Sequence, residues 1–220
     1  MNLEKIYNDL GSYLVKYDIE IIRNVMREIE TEIITNGKVN KGIKSAFKRL
    51  LKVNDHREGF KQVYTTLDGF YVICNGYFLV DFGKDKNNVP KELQTYINIA
   101  EISSKTIDFE HVKLNESENI KEYTINVTDL EKIHKYNKIN TEDLIPYRIE
   151  NKYINADYLL DVITFMGMQK SKTITIRMSG NPIAPLEVIN NEIKAMLLPI
   201  RVADDLKEHY DAKNIEILDA

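Results

Sequence analysis

The chain is predicted to be an α+β protein, made of repeated helix-plus-strand modules with antiparallel sheets and led by a helical hairpin. Three observations predict it. Apolar residues recur at three- and four-residue spacing between residues 18 and 53. The pattern then changes to short β-branched and aromatic runs separated by turn residues. Beyond a polar stretch at 115–122, a strand, helices and further strands follow in a comparable order, so one topology is expected twice.

The first helix is expected from Asp18 to about Thr35, where Ile21, Ile22, Val25, Met26, Ile29 and Ile33 share a face. Asp18 suits its N-cap and Asn36-Gly37 its end. A second helix, from about Asn40 to Val53, puts Ile43, Phe47, Leu50 and Leu51 on one face and lysines on the other. Short runs at 60–66, 70–75 and 77–82 then read as a β-meander, because Asp68-Gly69 is a tight-turn pair and Gly76 parts the last two runs. Pro90 opens a short helix carrying Leu93, Tyr96 and Ile97, and 106–114 alternates as a strand does.

The segment 115–122 is nearly devoid of core residues and is the expected boundary. Domain organisation is accordingly read as 1–118, the hairpin plus a first module; 119–202, a second module; and 203–220, an acidic tail whose Asp204-Asp205 can cap a last helix through Leu206 and Tyr210. Within the second module, 123–127 reads as a strand, Thr128 and Glu131 form a capping box, and 147–154 reads as one strand. A helix then spans 156–166 and ends at Gly167, before strands at about 172–178, 184–190 and 195–202. The stripe Tyr158, Leu159, Val162, Ile163 and Phe165 is assigned to core packing.

Composition excludes several classes. With 220 residues, 43% hydrophobic and 29% charged, the chain is too apolar for a disordered protein. No apolar run approaches the roughly 18 residues that cross a bilayer, and Met1-Asn2-Leu3-Glu4-Lys5 lacks the form of a secretion signal, so a cytoplasmic protein without membrane contact is expected. A single cysteine, Cys74, precludes an intramolecular disulfide and reads as a buried strand residue. No phosphate loop, metal helix or paired-cysteine signature is present. The histidines at 56, 111, 134 and 209 are each isolated, so neither catalysis, a metal nor a cofactor is expected.

The run Asn155-Ala156-Asp157-Tyr158-Leu159-Leu160-Asp161-Val162-Ile163 is followed by Thr173-Ile174-Thr175-Ile176, by Ser179-Gly180 ahead of Pro185-Leu186, and by Pro199-Ile200-Arg201-Val202. In that order these segments resemble the last half-domain of bacterial β sliding clamps, over about a quarter of the chain. A second match lies at Cys74-Asn75-Gly76-Tyr77-Phe78-Leu79, where clamps usually carry Thr-Asp-Gly-His-Arg-Leu; Gly76 and Leu79 are kept and the charged positions are not. The resemblance implies a DNA-clamp-like fold and a non-catalytic role in DNA replication, as a processivity or scaffold factor. It also implies a peptide pocket formed by Gly76, Tyr77, Phe78 and Leu79 with Met196, Leu198, Pro199, Ile200 and Arg201. Its expected partners are replication proteins carrying clamp-binding peptides. A short phage or mobile-element member of that family would suit the reduced length.

Net charge is −4, yet residues 37–62 hold eight basic side chains against two acidic ones. Lys41, Lys44, Lys48, Arg49 and Lys52 can lie along double-stranded DNA and release counterions, or they can simply form a solvated helix face. Three functions follow. A homo-oligomeric ring would encircle DNA; a monomeric clamp-fold protein would bind or modulate replication proteins without a ring; a DNA-binding regulator would work through residues 18–53 alone.

Overall fold

The structure, a computed structural model, describes residues 41–53, 63–66, 68–97, 114, 118–141 and 143–219. The helix expected at 18–35 lies outside them, as does all but the last residue of the strand expected at 106–114. The description begins with helix α1, Lys41–Val53. It runs through strands β1 (Tyr64–Thr65), β2 (Tyr71–Cys74) and β3 (Phe78–Asp81) to a single-turn helix α2 (Lys91–Gln94). Strand β4 (Ile120–Asn126), helix α3 (Val127–Ile139), strands β5 (Tyr147–Ile149) and β6 (Lys152–Ile154) and helix α4 (Ala156–Phe165) come next. Strands β7 (Thr173–Ser179), β8 (Leu186–Asn190) and β9 (Ile193–Leu197) precede the last helix, α5 (Asp204–Asp219).

Seven strands make one antiparallel sheet in the order β1-β2-β3-β9-β8-β7-β4, and β5 and β6 form a separate hairpin. The mixed α and β composition with antiparallel sheets is as the sequence leads one to expect. The meander forms where Asp68-Gly69 places it: Gly69, at φ +83°, donates its N–H to Thr66 O at 2.9 Å, a conformation glycine adopts freely. Strands on either side of the 118/119 division share the sheet, because β3 pairs with β9 from Phe78↔Leu197 to Asp81↔Lys194.

Helices cover one face of this sheet, with α1 on α4, α4 on α3, and α3 on α5. The strand period of two explains which side chains meet them. Ile73, Phe78 and Val80 join Leu197, Val188 and Ile176 in the main core with Phe47, Leu50, Leu159 and Leu130 of the helices. Val72, Cys74 and Leu79 form a smaller cluster with Phe70; Cys74 is buried, and its sulfur accepts the Gly76 N–H at 3.3 Å. Burial on this scale is worth about 25 cal/mol per Å² of apolar surface and sets the layer arrangement.

Several boundaries differ from expectation for local reasons. Strand β4 starts inside the polar stretch and Val127 opens the helix, with Asn126 rather than Thr128 at the N-cap and no capping bond from its side chain to the backbone. The single strand expected at 147–154 is a hairpin, turned at Glu150, whose φ of +53° is left-handed. The last strand stops at Leu197 and not at 202; Pro199 has no N–H to donate, and beyond Leu197 the pairing continues through the Leu198 N–H bond to Tyr77 O and an isolated bridge, Tyr153↔Ile200. The acidic tail is mostly helix α5. Helix α4 stops where expected, at Gly167, which adopts φ +73°; its start is capped by Asn155, which the sequence reading did not single out and whose side-chain oxygen accepts the N–H groups of Asp157 and Tyr158 at 2.9 and 3.2 Å.

Candidate peptide site and basic helix face

The β2–β3 turn is shaped by its own sequence. Asn75 is 1% exposed, and its side-chain oxygen accepts the N–H groups of Tyr77 at 2.9 Å and Phe78 at 2.8 Å. Gly76 supplies the φ of +87° that the turn requires. The turn therefore projects Tyr77 outward, and Tyr77 is 48% exposed.

Residues 76–79 and 196–201 meet along the β3–β9 seam. Leu79 pairs with Met196, and Leu198 donates its N–H to Tyr77 O at 2.8 Å. Ile200 donates its N–H to Tyr153 O at 2.7 Å, so the segment after β9 bridges the main sheet and the β5–β6 hairpin. The side chains divide into two groups. Phe78, Leu79 and Met196 are buried, Phe78 against Tyr158 and Phe165 at 6.0 and 6.1 Å between ring centroids. Tyr77, Leu198 and Ile200 remain exposed beside partly covered Pro199 and exposed Arg201. The segments thus leave three apolar side chains, Tyr77, Leu198 and Ile200, exposed near one another along the backbone pairing, followed by the cation of Arg201; Phe78 packs on the helix-covered face of the sheet and Leu79 in the cluster on the opposite face.

The sequence reading missed Tyr158. It is only partly buried, and its ring stacks on Tyr77 at 5.4 Å between centroids and 21° between planes. Burial raises the pKa of its hydroxyl, with Tyr77 and two nearby aspartates adding to the effect. The helical stripe conceals this because Leu159, Val162, Ile163 and Phe165 do pack in the core.

Helix α1 buries Ile43, Ala46, Phe47 and Leu50. Its outer side carries Lys48, with Lys44 half-buried; the side chains of Lys41 and Lys52 lie outside the described residues. Lys44 and Lys48 rim a cleft, together with Glu92, over a floor that includes Phe47, Leu51, Leu93 and Tyr96. Arg49 is turned toward α4. Its Nε donates to both oxygens of Asp161, at 3.1 and 3.3 Å, and its terminal nitrogen forms an ion pair with Oδ1. The Asp161 side chain is 5% exposed. Its burial raises the carboxyl pKa even though Arg49 opposes the rise, whereas the bond to Asp161 raises the pKa of Arg49. On the neighbouring turn His134 Nδ1 lies 2.6 Å from Asp157 Oδ1.

Among the described residues, no group of three or more His, Cys, Asp or Glu is placed to hold a metal ion, and no helix is long and apolar enough to cross a membrane.

No family model matches the chain, and no curated protein matches it. Among solved structures it is similar to a provisionally named DNA polymerase III beta subunit from Eubacterium rectale ATCC 33656, at 13% identity and a TM-score of 0.41. The match covers 60% of this chain and 54% of that one, so it spans about half the length of the solved protein. At that score the likeness assigns no function to this chain.

Proposed function

We propose that the chain is a non-catalytic, sliding-clamp-like protein of DNA replication, acting in the cytoplasm as a processivity or scaffold factor. It takes short extended peptides of replication proteins on the strip Tyr77, Leu198, Ile200 and Arg201, with Tyr158 beneath. One observation carries this reading: the two segments that resemble the clamp pocket, more than a hundred residues apart in sequence, are joined by the β3–β9 pairing. An extended peptide with aliphatic and aromatic anchors suits such a strip, because apolar area supplies affinity and backbone groups set the register.

In this reading the basic face of α1 follows the phosphate backbone of double-stranded DNA through Lys44 and Lys48, with Lys41 and Lys52 on the same helix. The engagement of Arg49 with Asp161 favours a second reading, in which a monomer with this fold binds replication proteins without encircling DNA. Titration of a fluorescein-labelled peptide with leucine and phenylalanine two residues apart tests the strip; no binding at high micromolar concentration would defeat both readings. Light scattering and retention on closed circular DNA separate them. A ring requires an oligomer that stays on circular DNA and leaves when the DNA is cut.

A further inference from the structure

Between the strip and the last helix stands the β5–β6 hairpin, and one of its residues touches both. Tyr153 is 6% exposed. Its backbone carbonyl accepts the Ile200 N–H at 2.7 Å, and its hydroxyl donates to Asp211 Oδ1 of α5 at 2.6 Å. Its ring lies 6.4 Å from that of Tyr210, also on α5.

Helix α5 is fastened by a short apolar contact, Ile217 in the core with Tyr210 and Leu218 packed against it, and by several polar ones. Of its 16 residues only Asn214 and Ile217 are buried. Asp211 Oδ2 pairs with Arg148 Nη1 at 2.6 Å. The Asn214 side chain accepts the Arg148 N–H at 3.1 Å and donates to Pro146 O at 2.9 Å, while Lys132 Nζ donates to Leu218 O at 2.7 Å. Helices owe most of their stability in proteins to packed apolar faces, so an element that buries this little belongs to the readily opened part of a fold.

We propose that Tyr153 is a positioning residue that couples the docking of α5 to the arrangement of the strip at Leu198–Arg201. The proposal rests on reading that strip as the peptide site. With α5 docked, the Tyr153 hydroxyl and ring are held, its carbonyl is aimed at Ile200, and the exposed Leu198 and Ile200 side chains are presented beside Tyr77. When α5 leaves, the segment keeps its bond to Tyr77 but loses its fixed anchor on the hairpin. A peptide that prefers the docked arrangement must, by linkage, favour docking of α5 to the same extent.

Amide hydrogen exchange on the full chain tests the coupling without any ligand. In Tyr153→Phe, which keeps the ring and the carbonyl, the Asn214 and Ile200 amides are expected to open together about fivefold faster, the worth of one hydrogen bond. Core amides such as Ile176 should be unchanged, which a general loss of stability would not spare. The effect of Tyr153→Phe should vanish in an Asp211→Ala background. Faster exchange at Asn214 with unchanged exchange at Ile200 would overturn the proposal. With the labelled leucine–phenylalanine peptide, Tyr153→Phe should bind about fivefold more weakly than wild type, and equal affinity would likewise overturn it. Coupled exchange in a protein that binds no peptide would instead defeat the peptide-site reading and leave the mechanical link standing.

Discussion

Tyr77 and Tyr158 lie face to face, one on the β2–β3 turn and the other on helix α4, with ring centroids 5.4 Å apart. A stacked pair is worth about 0.5–1.5 kcal/mol beyond the area it buries. Tyr77→Ala removes this stack and should lower stability by about 1 kcal/mol, read as a lower urea midpoint, and should also weaken the labelled peptide about tenfold, since the exposed apolar area of the ring is lost to the peptide. Tyr158→Leu should weaken binding less, while preserving most of the core packing. Fluorescence anisotropy beside urea denaturation checks both.

Arg49 is half exposed and its partner Asp161 is buried, which makes removal of the arginine costly. Arg49→Ala leaves a buried carboxylate alone and should destabilise by about 2 kcal/mol, below the usual figure for a fully buried pair because water reaches Arg49. Asp161→Asn in that background should recover much of the loss. Because burial raises the Asp161 carboxyl pKa, its contribution to stability is present below the unfolded value of 3.8 and lost as pH rises through the folded value. The Arg49→Ala deficit should therefore shrink as pH falls toward 4, as measured by urea denaturation at several pH values.

Lys152 is fully buried in β6, and its ammonium donates to the backbone carbonyls of Asn181 and, at 2.8 Å, Ala184. Lys152→Met should cost about 2 kcal/mol, because the carbonyls lose their donors. Burial lowers the Lys152 pKa, so the unfolded chain holds the proton more tightly and stability should rise as pH approaches the unfolded value of 10.5. Tyr64, Tyr147 and Tyr153 act in the opposite sense. Burial pushes each up to about 12, so stability should fall steeply between pH 10 and 12. Thermal melts across the alkaline range should show the rise weakened in Lys152→Met and the fall unchanged.

Lys44 and Lys48 are the residues to reverse in a test for DNA binding, since reversing Arg49 would also break its link to Asp161. If α1 meets the phosphate backbone, Lys44→Glu with Lys48→Glu should lower affinity for every duplex sequence. The slope of log K against log salt should shrink by about 0.9 for each phosphate that is no longer neutralised. An unchanged slope in filter binding would remove α1 from the interface.

Much of the local structure was legible. Asp68-Gly69 announced the meander, Ile43, Phe47 and Leu50 the face of α1, and Gly167 the end of α4, because each depends on residues within a few positions. The long-range pairings were not. Periodicity shows that Phe78 and Leu197 belong to strands but not that those strands are neighbours, and nothing near Asp161 indicates the arginine 112 residues away. Glu150 hid the β5–β6 turn because a left-handed glutamate gives no compositional warning. The candidate site was legible in its backbone segments, through resemblance. Its surface was not: Tyr158 looked like core, and the burial of Leu79 and Met196 is set by the sheet register.

The β3–β9 seam also governs how the protein can be cut. A fragment ending near residue 118 would lose β9 and leave the backbone edge of Phe78–Asp81 without a partner, in a strand whose first three residues are buried in the intact chain. Such an edge recruits other chains, so the fragment should aggregate, and its DNA binding would report exposed strand as much as the basic helix. Point substitutions in the full-length chain, rather than truncation, are the sound way to ask what each half contributes.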